Sequence, residues 1–142
     1  MKIYLDFDGT VVEHAYPTIG TYNPGCIEVI KSLQETGHEI ILNTMRVEFY
    51  DGSLQAALHW LSTAHSLVKN SGPGYSHPLA PFNHTSSKIH PTPWNWATHQ
   101  IKQCIFIDDI CEGIPLRKNK VLHGWMVDWE QVAQELKENG VL

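Results

Sequence analysis

Two hydrophobic periods alternate along this chain. Ile3-Tyr4-Leu5, Ile40-Ile41-Leu42 and Cys104-Ile105-Phe106-Ile107 are short unbroken apolar runs, of the length expected for strands covered on both faces. Between the first two, Cys26, Ile27, Ile30 and Leu33 recur at helical spacing, with Asn23 predicted as the cap, Pro24 as the first helical residue and Gly37 as the stop. Asp51 is predicted to cap a second helix carrying Leu54, Ala57, Leu58, Leu61 and His65 on one side. From Ser71 to Pro93 repeated Pro and Gly forbid long regular elements, so a third strand is placed near Leu67-Val68 and a short helix over Trp94 to Gln100. An edge strand is expected around Lys120 to His123, then a last helix capped by Asp128 with Gln131 in the capping-box position and Gly140 beyond its end. This rhythm predicts an α/β fold, a Rossmann-like three-layer sandwich around a parallel sheet.

The first run leads directly into Asp6-Phe7-Asp8-Gly9-Thr10. Side chains at i and i+2 of a strand project to one side, so Asp6 and Asp8 gather two carboxylates at a carboxyl end of the sheet, where open α/β sheets bind ligands. Like charges this close repel unless a cation or a proton intervenes. The plainer alternative is a strand end closed by an Asp8-Gly9 turn.

This string resembles the first motif of the haloacid dehalogenase (HAD) superfamily, whose phosphatases form an aspartyl-phosphate intermediate. Three further stretches match that family in order: Glu39 to Thr44 as a strand ending in a hydroxyl, Lys88 as the intervening lysine, and Cys104 to Asp109 as a strand ending in paired acids. Lys102 is nearer in sequence to those acids, but it precedes their strand and falls at the far end, some 20 Å away at about 3.3 Å per residue. The resemblance implies a parallel sheet in the order 5-4-1-2-3, with the first strand central. The stretch from Thr10 to Asn23 holds only a small flap, and Met45 to Ser87 is largely used by a helix and its return. A capless single domain over 1–142 is therefore expected. In such a member the open site takes a large substrate or is covered by a neighbouring subunit, which makes a homo-oligomer compatible with the sequence.

Under the same resemblance Asp6 is the nucleophile, a carboxylate needing no base to activate it. Asp8 protonates the leaving oxygen and then takes a proton from water. Mg²⁺ is implied as cofactor against Asp6, Asp108 and the main-chain carbonyl of Asp8, with Asp109 ligating directly or through water. Thr44 binds a phosphoryl oxygen and Lys88 offsets the charge around the transferred group. Because Asp8 is retained, phosphoester chemistry is expected rather than carbon–halogen cleavage. Arg46, two residues after Thr44, is a candidate for bidentate substrate binding, and His14, with Tyr16 and Tyr22 in the flap, for contact with a leaving group.

Composition narrows the rest. The chain of 142 residues fits one domain, and its formal charge of -5 with scattered Lys and Arg lacks the basic patch of a nucleic-acid surface. The cluster Arg117, Lys118 and Lys120 is read as solvating a turn. No run of 18 apolar residues exists and no signal peptide opens the chain, so a cytoplasmic protein is expected. Three cysteines without C-x-x-C spacing point to reduced thiols, Cys104 among them as core, and the nine histidines show no zinc spacing. Trp125 and Trp129 are read as packing the last helix to the core. The expected function is hydrolysis of a small-molecule phosphate monoester. The alternatives are a phosphate- or metal-binding module on the same fold and a nucleic-acid end phosphatase.

Overall fold

A computed structural model describes residues 1–63, 84–86, 88, 96, 104–118 and 124–142. In chain order the elements are β1 (Lys2–Leu5), α1 (Cys26–Glu35), β2 (Glu39–Leu42), α2 (Ser53–Thr63), β3 (His84–Thr85), β4 (Cys104–Ile107), β5 (Leu116–Lys118), β6 (Trp125–Val127) and α3 (Trp129–Glu138). β1 lies between β2 and β4, and the two-residue β3 extends the far side of β2, giving a parallel sheet in the order β3-β2-β1-β4. With three helices among the described residues, this is a mixed α/β architecture of the Rossmann-like kind that the element rhythm predicted.

The apolar runs form strands because both faces of the sheet are covered. Ile3, Leu5, Ile40, Leu42, Ile105 and Ile107 are fully buried on one side, while Ile41 and Phe106 are nearly so on the other, where Tyr4 stacks on Phe106 at 4.6 Å. Helix α1 adds Cys26, Ile27, Val29, Ile30 and Leu33 to the core, and α3 adds Trp129, Val132 and Leu136. In α2 the inward side is Ala57 and Leu61. No described helix is long and apolar enough to cross a membrane.

Several local expectations change. Helix α1 begins at Cys26 rather than at Pro24, with Gly25 as its left-handed cap at φ 91°. Asn23 does not cap it, and the Tyr22 hydroxyl accepts from the Ile27 amide instead, at 2.9 Å. Asp51 and Asp128 do act at helix starts, accepting from the Ser53 and Gln131 amides. The strand beside β2 is His84–Thr85, while the positions expected for it, Leu67-Val68, lie outside the described residues. So do Trp94, 97–100 and the expected edge strand at 120–123. On either side of that last gap, β5 and β6 pair antiparallel in a separate two-stranded sheet. Trp129 is buried as expected, but Trp125 is 58% exposed and does not pack the core.

Asn23 was freed from capping for a different task. Fully buried, it donates through Nδ2 to the carbonyls of Thr10 and Val127 at 2.9 and 2.7 Å. Its Oδ1 accepts from Arg117 Nε and Nη2 at 3.2 and 2.6 Å, so Arg117 braces the interior and does not merely solvate a turn. The Thr10 carbonyl also accepts from Trp129 Nε1 at 2.7 Å, and the Gly9 carbonyl from the Val127 amide at 3.0 Å. The loop that follows β1 is thereby tied to the C-terminal hairpin and helix.

Replacing Asn23 with Ala leaves the Val127 carbonyl and the Arg117 guanidinium short of partners. A loss of about 2–3 kcal/mol is expected, read as a lower urea midpoint at unchanged slope. A change below about 0.5 kcal/mol, the ordinary range for surface positions, would show that the three segments are held together otherwise.

Candidate active site

The parallel register builds the site. Leu5 pairs with Leu42 on one side and with Ile107 on the other, so Asp6, Asn43 and Asp108 leave the sheet as one row. The ladder continues one step beyond the strands, through Asp6 N–H to the Ile107 carbonyl at 3.0 Å and Asn43 N–H to the Leu5 carbonyl at 2.7 Å. This row and its successors Thr44 and Asp109 thus stand together at the carboxyl edge, the usual ligand side of such sheets.

Carboxylate oxygens of Asp6, Asp108 and Asp109 lie within 4.8 Å of one another. Burial of the Asp6 carboxyl and the charges of Asp108 and Asp109 push its pKa well above the usual carboxylate range, although Thr10 Oγ1 donates to Asp6 Oδ2 at 3.1 Å. Burial also acts to raise Asp109, but the hydrogen bond from His14 and its other bonds outweigh it, and the net direction is down. His14 Nε2 sits 2.7 Å from Asp109 Oδ2, and that bond raises the imidazole pKa. Asp108 is buried and accepts from the Ile110 amide at 3.1 Å.

Asp8 is placed differently. Its side chain turns away from the three acids to Arg46, accepting from Nε and Nη2 at 2.8 Å each. The carboxylate therefore lies outside the cluster, and only the main-chain carbonyl of Asp8 is left for the metal role expected of that residue. Arg46 is not the substrate-binding arginine that its position after Thr44 suggested. It is 1% exposed, and its remaining donors go to the carbonyls of Pro17, Thr18 and Ser53 at 2.7–3.2 Å. The guanidinium has five N–H groups and makes five internal bonds.

Thr44 is buried and caps the short 3₁₀ turn Met45–Glu48 by accepting from the Arg46 amide. Lys88 is exposed on a bend beyond β3 and, among the described residues, forms no ion pair with the acids. The flap runs from Glu13 to Tyr22, closed by the Glu13 amide on the Thr21 carbonyl. Its Tyr16 lies against Phe49 and hydrogen-bonds Asp51. Gly9, at φ 79°, is required where flap and acids meet, because a Cβ there would come within 2.2 Å of His14 Nε2 and 2.6 Å of Asp109 Oδ2. The contributions of Thr10 and of the His14–Asp109 pair are not legible from spacing; the signal for Thr10 was its place at the exit of the first acidic string.

No family model matches the chain, and no curated protein matches it. Among solved structures, the chain resembles a conserved protein from Bacteroides thetaiotaomicron, with a TM-score of 0.53 and 26% identity over 97% of this chain and 90% of that one.

Three carboxylates in so small a volume, with hard oxygen donors, fit a divalent cation such as Mg²⁺. Without one, each pair of unit charges about 4 Å apart repels by on the order of 4 kcal/mol at an effective dielectric of about 20. In chelator, Asp6→Asn is therefore expected to raise the melting temperature by a few degrees. A raised folded pKa carries no penalty below the unfolded value of about 4 and the full penalty above the folded one, so the gain should be larger at pH 8 than at pH 5. Millimolar Mg²⁺ should raise the melting temperature of the native chain and leave Asp6→Asn nearly unmoved. An equal Mg²⁺ response in both proteins would place cation binding elsewhere.

Proposed function

We propose that this chain is a phosphohydrolase of the haloacid dehalogenase kind, which cleaves phosphate monoesters through a phosphorylated Asp6. The observation that carries the reading is the convergence of Asp6, Asp108 and Asp109 at one edge of a parallel sheet, with Asp8 two residues along and held apart from them. In this reading the described strands belong to the order 5-4-1-2-3, and the flap from Glu13 to Tyr22 takes the place of a cap domain. The same convergence would serve a cation-binding module on the same fold, in which Asp8 would do no more than pair with the buried Arg46.

Asp6, Asp108 and Asp109 would hold Mg²⁺, together with the main-chain carbonyl of Asp8. Bound there, the cation offsets the charge that otherwise keeps an anionic phosphoryl group from an anionic nucleophile. An Asp6 oxygen attacks phosphorus, and the bond from phosphorus to the ester oxygen breaks. Asp8, which enters this step as the neutral acid, delivers its proton to that departing oxygen. In the second half a water attacks phosphorus, gives its proton to Asp8, and the bond to Asp6 breaks, restoring both carboxyl groups and releasing inorganic phosphate. Thr44 uses its oxygen as an acceptor at the turn, which leaves its hydroxyl proton for a phosphoryl oxygen. Lys88 would complete the charge around the transferred group. Burial pushes the Cys111 thiol up to about 12 and that of Cys26 well above its usual range, so neither offers a thiolate near neutral pH.

The test is phosphate release from an aryl phosphate and a panel of metabolite phosphates, with Mg²⁺ or chelator. Native turnover that needs the cation, and a fall of more than about 10³-fold in Asp6→Asn, is the expected result. Turnover that survives Asp6→Asn would remove Asp6 as the nucleophile, and an inert native chain that still binds Mg²⁺ would leave the binding module.

A further inference from the structure

Arg46 is a charged side chain enclosed by protein, with every donor engaged. Burying a guanidinium is costly unless it is fully paired, and its partners come from separate parts of the site. Two bonds hold both oxygens of Asp8, and two reach the flap carbonyls of Pro17 and Thr18. A fifth reaches Ser53 at the start of α2. The guanidinium also lies 5.1 Å from the Phe7 ring and 5.3 Å from that of Tyr16. The geometry points to Arg46 as a positioning residue that holds the Asp8 carboxylate off the cation cluster, toward the leaving group, and fastens the flap over it.

The physical reason is competition. Asp8 lies two residues from Asp6, and its carboxylate is the same kind of hard ligand that the cluster offers a divalent cation. Bound there, it would be lost to proton transfer. The bidentate guanidinium holds it with directed, charge-assisted bonds, and lysine cannot reproduce this, having three donors on one point instead of five in a fork. Because the same fork grips Pro17 and Thr18, a flap out of place also misplaces Asp8. This inference rests on the phosphohydrolase reading for its catalytic part, while its structural part is read by cation binding alone.

The experiment uses the full chain with Arg46→Gln and Arg46→Lys, each checked by its melting curve, and compares kcat/KM for an alkyl phosphate and an aryl phosphate. An aryloxide leaves with little help from an acid, whereas an alkoxide needs a proton. If Arg46 acts through Asp8, the alkyl ester loses about 10²-fold or more and the aryl ester less than about tenfold. Adding Asp8→Asn to Arg46→Gln should cost little further. Equal loss on both esters, or a raised KM at unchanged kcat, overturns the inference. Calorimetric titration with Mg²⁺ alone, without substrate, supplies the second measure. Arg46→Gln should bind several-fold more tightly than the native chain, and Asp8→Asn should abolish that gain. Unchanged affinity overturns the inference even if the native chain proves to be no phosphatase, whereas an inert native chain with the affinity gain removes only the catalytic reading. Should Arg46→Gln melt below the assay temperature, Arg46→Lys carries both measurements.

Discussion

Like charges gathered at one end of a sheet must each be answered, and most of the local architecture follows from how they are. Four carboxylates, Asp6, Asp8, Asp108 and Asp109, stand within a few residues of the carboxyl ends of β1 and β4. Asp8 is answered by Arg46 and Asp109 by His14. Asp6 accepts from the Thr10 hydroxyl and Asp108 from the Ile110 amide. The carboxylates of Asp6, Asp108 and Asp109 remain within 4.8 Å of one another at the centre of the cluster.

The flap is best understood as part of this charge balance. Its His14 faces the acids and its Pro17 and Thr18 carbonyls face the guanidinium, so it is held by groups of opposite sign near its start and at its middle. Tyr16, between them, closes onto Phe49 and Asp51. A small covering segment needs no core of its own when it is fastened by directed bonds to elements that already have one.

What could be read from the sequence was what depends on local pattern. The three apolar runs became strands because each was short, unbroken and rich in Ile and Phe, and the acids at their ends fell into one row because a parallel register is set by the hydrophobic faces. Grouping Asp108 and Asp109 with Asp6 needed more, since it was the family resemblance that set their strands side by side. What escaped was set by long-range partners. Nothing in the string Thr44-Met45-Arg46 says that the arginine side chain turns inward to Asp8, and a surface or ligand-binding arginine has the same spelling. Asn23 before Pro24 has the spelling of a helix cap, yet the Oδ1 that would accept from the helix amides accepts from Arg117, while Nδ2 donates to the buried carbonyls of Thr10 and Val127. The sequence of Arg117-Lys118 likewise carries no sign that the arginine reaches Asn23, 94 residues away.

The ties between the first acidic loop and the far end of the chain bear on how the molecule is made. Trp129 reaches the Thr10 carbonyl across 119 residues of sequence, and Val127 meets both Gly9 and Asn23. The acids that follow β1 therefore leave the ribosome well before α3, and the backbone that aims them is fixed only after α3 has been synthesised and docked. Contacts of such long sequence separation close late and slowly. A nascent chain thus carries its acidic string unassembled until α3 has docked.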